Sequence, residues 1–215
     1  MGQKKGLKKQ VKQLNDVCEY LFQNNDLEKK EILKKYGFLI QYMDNPSEDE
    51  QINAVNQDGG VLQYINNPSD KVKFDAVNKT PYAIRYIINP CEELQIIAVS
   101  QKGELIKFIK NPTEKARIEA VRQDPVTIKY TKNPSDNLQI EAINSGKKRE
   151  ACYLGYLAKY IKNPIEIVQL EIVQNNRFGI MWIKKPYESV KLFIKQNYPD
   201  LMHYIQCWII IFLVI

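Results

Sequence analysis

A chain of 215 residues that is 44% apolar and 26% charged can bury a real core, which excludes a disordered tail and a disulfide-stapled miniprotein. Lys and Arg number 31 against 25 Asp and Glu, and the net charge of +6 permits an acidic partner without requiring one. The four cysteines, at 18, 91, 152 and 207, lack CxxC and zinc-ligand spacing, and His203 is the one histidine, so no metal, no cofactor and no His-based catalysis is expected. Nothing resembles a disulfide framework, which fits a reducing, cytoplasmic setting.

Residues 1–23 open with five lysines in twelve positions and no apolar stretch of the kind a secretory signal carries. Gly6 stands where a myristoylation signal requires Ser or Thr. The segment reads as a basic N-terminal cap helix.

Residues 24–207 are repetitive. Prolines stand at 46, 68, 90, 112, 134, 164 and 186, at intervals of 22 residues with one interval of 30. The long interval is a 22-residue unit with an eight-residue insertion at about 145–155, and a degenerate copy begins near Asn24. About eight units result, the signature of a stacked array.

Each unit carries two helix signals. Two positions after each proline stands an acid: Glu48, Asp70, Glu92, Glu114, Asp136, Glu166 and Glu188. With the preceding residue, usually Asn, as N-cap, proline falls at the first helical position and the acid at the third, a capping box facing the positive helix end. A structural role therefore explains this column better than a ladder of catalytic carboxylates. Apolar columns follow four, six, eight and nine positions after the proline, exemplified by Val72, Phe74, Ala76 and Val77, and span a wide arc of the helix. Thirteen positions after the proline comes Gly59, Pro81, Gly103, Pro125 or Pro199, opening a short second helix, α or 3-10. That helix ends at the next Asn-Pro. It carries two Leu/Ile columns, and between them an unbroken aromatic one: Tyr42, Tyr64, Tyr86, Phe108, Tyr130, Tyr160, Trp182 and Tyr204. Its position beside buried isoleucines predicts a core ladder with hydroxyls at the rim, rather than a base-stacking platform.

The stretch from Asn67 to Pro81 resembles the leucine-rich-variant repeat. The Pro-Ser start, a basic residue or Gln five positions after the proline (Lys73, Gln95, Arg117, Gln139), the Ala-Val pair and the second proline carry the resemblance over about seven units. It implies a right-handed, HEAT-like α-solenoid in which an α-helix alternates with a short 3-10 helix. The unit here is shorter than that family's, and the family's cysteine-rich iron–sulfur segment is missing, so its cluster is not carried over. The resemblance speaks for fold and not for function.

The exposed positions predict two long charged faces. The first helix presents Asp75, Glu119, Glu141 and Glu171. The second presents a basic ladder: Arg85, Lys107, Lys110, Lys129, Lys132, Lys159, Lys162 and Lys184, with Lys147, Lys148 and Arg149 of the insertion expected nearby. No GxGxxG, GxxxxGK[ST], HExxH or GxSxG occurs, so an enzyme is not expected. The leading expectation is non-catalytic binding of another macromolecule, most readily a protein, as scaffold, adaptor or stoichiometric inhibitor. The alternative is sequence-nonspecific nucleic-acid binding along the lysines. Residues 208–215, WIIIFLVI, are too short to span a membrane, so a membrane partner is not favoured. This tail could cap the last repeat, join two copies into a homo-oligomer or touch a membrane surface.

Overall fold

The computed structural model describes residues 26–149 and 153–205. The expected cap helix at 1–23, the apolar tail at 208–215, and Cys18, Cys152 and Cys207 lie outside them. The fold is an all-α solenoid: among the described residues, eight α-helices each lead into a second short helix. Seven of the second helices are 3-10, from Gly37–Tyr42 to Pro199–Leu201. The exception is the inserted repeat, where a twelve-residue helix, Asp136–Lys147, is followed by a short α-helix, Tyr153–Ala158. The chain divides into two compact units at Ala98/Val99, inside the helix Glu92–Gln101.

The helix start differs from the sequence expectation by two residues. The α-helices begin at the acid, and the residue after the proline is the N-cap. Ser47, Ser69, Thr113 and Ser135 accept from the backbone N–H three positions on, at 3.4, 3.3, 3.3 and 3.1 Å. In the first of these Glu50 reaches back to Ser47 N at 2.7 Å and closes a capping box. The Asn before the proline is not a cap. Asn45, Asn67, Asn89 and Asn163 have φ of 50–52°, the left-handed region that Asn tolerates best after Gly. The acid column has a second structural use. Glu48 accepts from Ser69, Glu114 from Ser135 and Glu166 from Ser189, each linking one repeat to the next.

The core lies where the columns place it. Ala54, Val55, Ala76 and Val77 are fully buried in the first unit, and Ala120, Val121, Ala142 and Ile143 in the second. The alanines permit a close approach. A Cβ on Gly59 would lie 2.1 Å from Ala76 O, and one on Gly103 2.6 Å from Ala120 O. Glycine at the head of these 3-10 helices therefore fits against the next repeat's backbone. The sixth column is less buried than the wide arc implied: Ile140 and Leu192 are exposed.

One polar column is buried at Gln95, Gln139 and Gln169 and half-buried at Gln51. Gln51, Gln95, Gln139 and Gln169, five positions after the proline, each donate to their own proline's carbonyl, at 2.8, 2.8, 3.2 and 2.9 Å. Gln139 Oε1 accepts from Ile165 N at 3.0 Å, and Gln169 Oε1 from Tyr187 N at 3.1 Å. Neither Ile165 nor Tyr187 offers a side-chain cap. The glutamine of the preceding repeat accepts from the N-cap residue's own N–H, as Glu50 does in the capping box at Ser47, and spares that group its desolvation cost.

Candidate binding faces

A 3-10 helix has three residues per turn, so positions three apart share a face. Isoleucines at sixteen and nineteen after the proline point inward: Ile106 and Ile109, then Ile180 and Ile183, are buried. Positions seventeen and twenty must then face solvent, and every residue of the expected basic ladder is exposed. Arg85 belongs to the Met1–Ala98 unit, where its guanidinium lies 5.5 Å from the Tyr86 ring centroid. The other seven ladder residues belong to the second unit.

The aromatic column departs from its expected burial. Position eighteen falls between the inward positions and the lysines, so four rings lie at the surface, while Tyr42, Phe108, Tyr160 and Tyr204 are half-buried and the last two pack against the core. Tyr130 is 39% and Trp182 47% exposed, and Tyr64 and Tyr86 are similar. Within the second unit the rings and lysines interleave. Lys107 Nζ lies 5.1 Å from the Phe108 centroid. Lys129 lies between Tyr130 and Tyr160, at 5.0 and 5.8 Å. Lys159 lies between Tyr160 and Trp182, at 5.9 and 5.4 Å. Ring and cation thus alternate across three repeats at cation–π distances. The insertion adds an aromatic that the periodicity did not mark. Tyr156 is exposed, and its hydroxyl meets that of Tyr160 at 2.7 Å. That hydrogen bond pushes the Tyr156 phenol above its ordinary range.

The acidic face is different. Asp75, Glu119, Glu141 and Glu171 are half-buried rather than exposed. Arg122 bridges two of them, lying 3.8 Å from Glu119 and 3.2 Å from Glu141. Its hydrogen bond to Glu141, with that carboxylate's charge, raises the guanidinium pKa further. Lys147 pairs with Glu171 at 2.7 Å. The α-helical face of the second unit therefore neutralises much of its own charge.

This also corrects the expectation for the insertion. Lys147 serves the acidic column instead of extending the basic ladder. Arg149 donates to Gln123 O at 2.9 Å and lies 5.2 Å from the Tyr153 ring. Tyr153 in turn donates to Asp124 at 3.2 Å. Burial, then the Asp124 charge, pushes the Tyr153 phenol up. Arg149 and Tyr153 thus clamp the corner between Glu114–Gln123 and Pro125–Tyr130. Lys148 is exposed and follows the helix end.

The basic face is indented at one place. Lys107, Lys110, Tyr130, Lys132 and Asn133 line a cleft of about 320 Å³ with Arg117. Arg117 occupies the column of the buried glutamines. Its nearest carboxylate, Glu114, is 3.4 Å away, and Glu104 lies 3.8 Å from Lys107. Lys110 and Lys132 have no ion pair among the described residues.

No group of His, Cys, Asp and Glu among the described residues could hold a metal ion. His203 is exposed, with Nδ1 2.8 Å from Asp200 O, and Cys91 is an exposed free thiol. No described helix is long and apolar enough to cross a membrane. No protein-family description, curated protein or solved structure matches the chain.

Proposed function

We propose that this is a non-catalytic binding protein that holds an acidic protein partner on the 3-10 face of the Val99–Ile215 unit, as a scaffold, adaptor or inhibitor. One observation carries the reading: seven exposed lysines run beside half-exposed rings, while the acids of the α-helical face are tied to Arg122 and Lys147. Unspent positive charge favours an acidic surface, and exposed aromatics supply contact area at low entropic cost. A reducing, cytoplasmic compartment and kinship with leucine-rich-variant repeats complete the proposal; the α/3-10 alternation supports the kinship.

A second reading takes single-stranded nucleic acid along the same face. The alternation of ring and cation from Tyr130 to Trp182 favours it, because bases stack on such rings while phosphates meet lysines. Titration with labelled poly-glutamate and with oligothymidylate, at about 50 and 200 mM salt, separates the two. The leading reading expects salt-sensitive binding of poly-glutamate that is lost in the K129E/K159E/K184E variant. Binding of oligothymidylate alone would replace it with the second reading. If neither probe bound at low salt, both would be wrong.

A further inference from the structure

We propose that the cleft at Lys107, Lys110, Arg117 and Lys132 is a receptor for one phosphate monoester, carried on a phosphorylated serine or threonine of the protein partner. This rests on the protein-binding reading above and narrows it to a chemical group.

The fifth position after the proline takes two forms in the repeat. In four units the fifth position after the proline is a glutamine that ties its proline's carbonyl into the array. Where Gln139 and Gln169 stand, the side chain also caps the next repeat. In three units the position holds a base paired with the acid three positions before it: Lys73 with Asp70 at 2.9 Å, Arg117 with Glu114 at 3.4 Å and Lys191 with Glu188 at 2.6 Å. Of these three bases Arg117 lines a cleft of about 320 Å³, where three lysines join it.

The charges around the cleft define the guest. Four cations, Lys107, Lys110, Arg117 and Lys132, stand against Glu114 and against Glu104, which lies nearer to Lys102, at 3.4 Å, than to Lys107, at 3.8 Å. The surplus of at least two positive charges suits a phosphate monoester, which carries nearly two negative charges at neutral pH. A carboxylate or a nucleic-acid phosphodiester brings only one. Arg117 offers a planar fork and the lysines offer point charges, the usual division of labour around a phosphoryl group. Tyr130 and Asn133 at the rim give the peptide chain a ring to rest on and an amide to bond. A nucleic-acid track asks for the same surface in each repeat. The cleft gathers four cations at one place, which favours one addressed group over a tract.

The variant Arg117→Gln installs the residue that four other units carry, so it tests the cleft without threatening the fold. The probes are a neutral pentapeptide with one central phosphoserine, the same peptide with serine, inorganic phosphate, and oligothymidylate. Each is titrated into the full chain at millimolar concentrations, followed by the amide NMR shifts of Lys107, Lys110 and Lys132. The phosphopeptide is expected to move these amides, the serine peptide to leave them still, and R117Q to weaken the phosphopeptide by about tenfold or more, the loss of one charge-assisted bidentate contact. Oligothymidylate is expected to be insensitive to R117Q. Inorganic phosphate is expected to bind more weakly than the phosphopeptide.

Equal binding of the serine peptide would overturn the proposal. So would an unchanged phosphopeptide affinity in R117Q, or inorganic phosphate binding as tightly as the phosphopeptide, which would make the site one for the free ion. Oligothymidylate that moved the same amides more tightly, and lost affinity in R117Q, would make the cleft part of a nucleic-acid track. Failure here with poly-glutamate binding intact would leave the acidic-partner reading standing. Loss of poly-glutamate binding alone would remove that reading and not the cleft.

Discussion

Replacing Gln169 by leucine should destabilise the second unit well beyond what the change in volume implies. Gln169 is 2% exposed, and its side chain makes three hydrogen bonds. It donates to Pro164 O at 2.9 Å and Lys185 O at 3.1 Å, and accepts from Tyr187 N at 3.1 Å. Leucine is close in volume and would leave one N–H and two carbonyls without these partners. An unsatisfied buried group costs roughly 1–3 kcal/mol, and the N–H is the hardest of the three to satisfy otherwise. Water reaching one carbonyl would reduce the sum, so a loss of about 3 kcal/mol is expected. Urea denaturation followed by tryptophan fluorescence measures it, since Trp182 lies one turn before the Lys185 carbonyl. Gln169→Glu should cost at least as much as Q169L at neutral pH, because it sets a buried carboxylate against the Pro164 and Lys185 carbonyl oxygens. A Q169L variant within about 0.5 kcal/mol of wild type would refute the claim that these glutamines join the repeats.

Other perturbations reach different parts of the structure. Gly103→Ala sets a methyl 2.6 Å from Ala120 O and 2.8 Å from Gln123 Oε1, so urea melts should show a loss of about 1–3 kcal/mol. Arg122→Ala removes exposed ion pairs, and should cost less than about 1 kcal/mol while making the α-helical face more acidic, read as a slower migration on native gels. Tyr153 has a pKa above that of an unfolded tyrosine, so the fold favours its neutral form. That contribution is complete below about pH 10 and fades as pH rises through the higher folded value. Melts between about pH 9 and 11 should therefore decline less steeply in Tyr153→Phe than in wild type.

The α/3-10 alternation was legible because burial repeats with the proline. Columns such as Ala76–Val77 and Ile106–Ile109 have no other way to leave water. The helix start was misplaced because Asn-Pro and Pro-Ser both carry start signals, and choosing between them needs the backbone angle of Asn67. The aromatic column was assigned to the core because it adjoins buried isoleucines, yet a three-residue turn carries Tyr130 and Trp182 toward solvent. Glu141 and Glu171 looked free because their partners lie far off in sequence, Arg122 at 19 residues and Lys147 at 24, whereas Glu119 is only three residues from Arg122. The glutamine column was noted as part of the resemblance, but its structural role was missed. Gln is polar, so hydropathy assigns it to the surface, and only its regular return five positions after the proline could have marked it as structural. The basic ladder itself was readable, since exposed lysines need no partner to be placed. The cleft was not, because it depends on which side chains of two repeats gather around Arg117.

The central claim is that the 3-10 face of the second unit is where a partner sits. Hydrogen exchange of the full chain, with and without poly-glutamate at low salt, tests it most directly. The account predicts new protection in Gly103–Phe108, Pro125–Tyr130 and Arg177–Trp182 and in the segments following them, with little change in Glu114–Gln123 and Glu166–Asn175. Protection confined to those α-helices, or absent everywhere while poly-glutamate is bound, would contradict it.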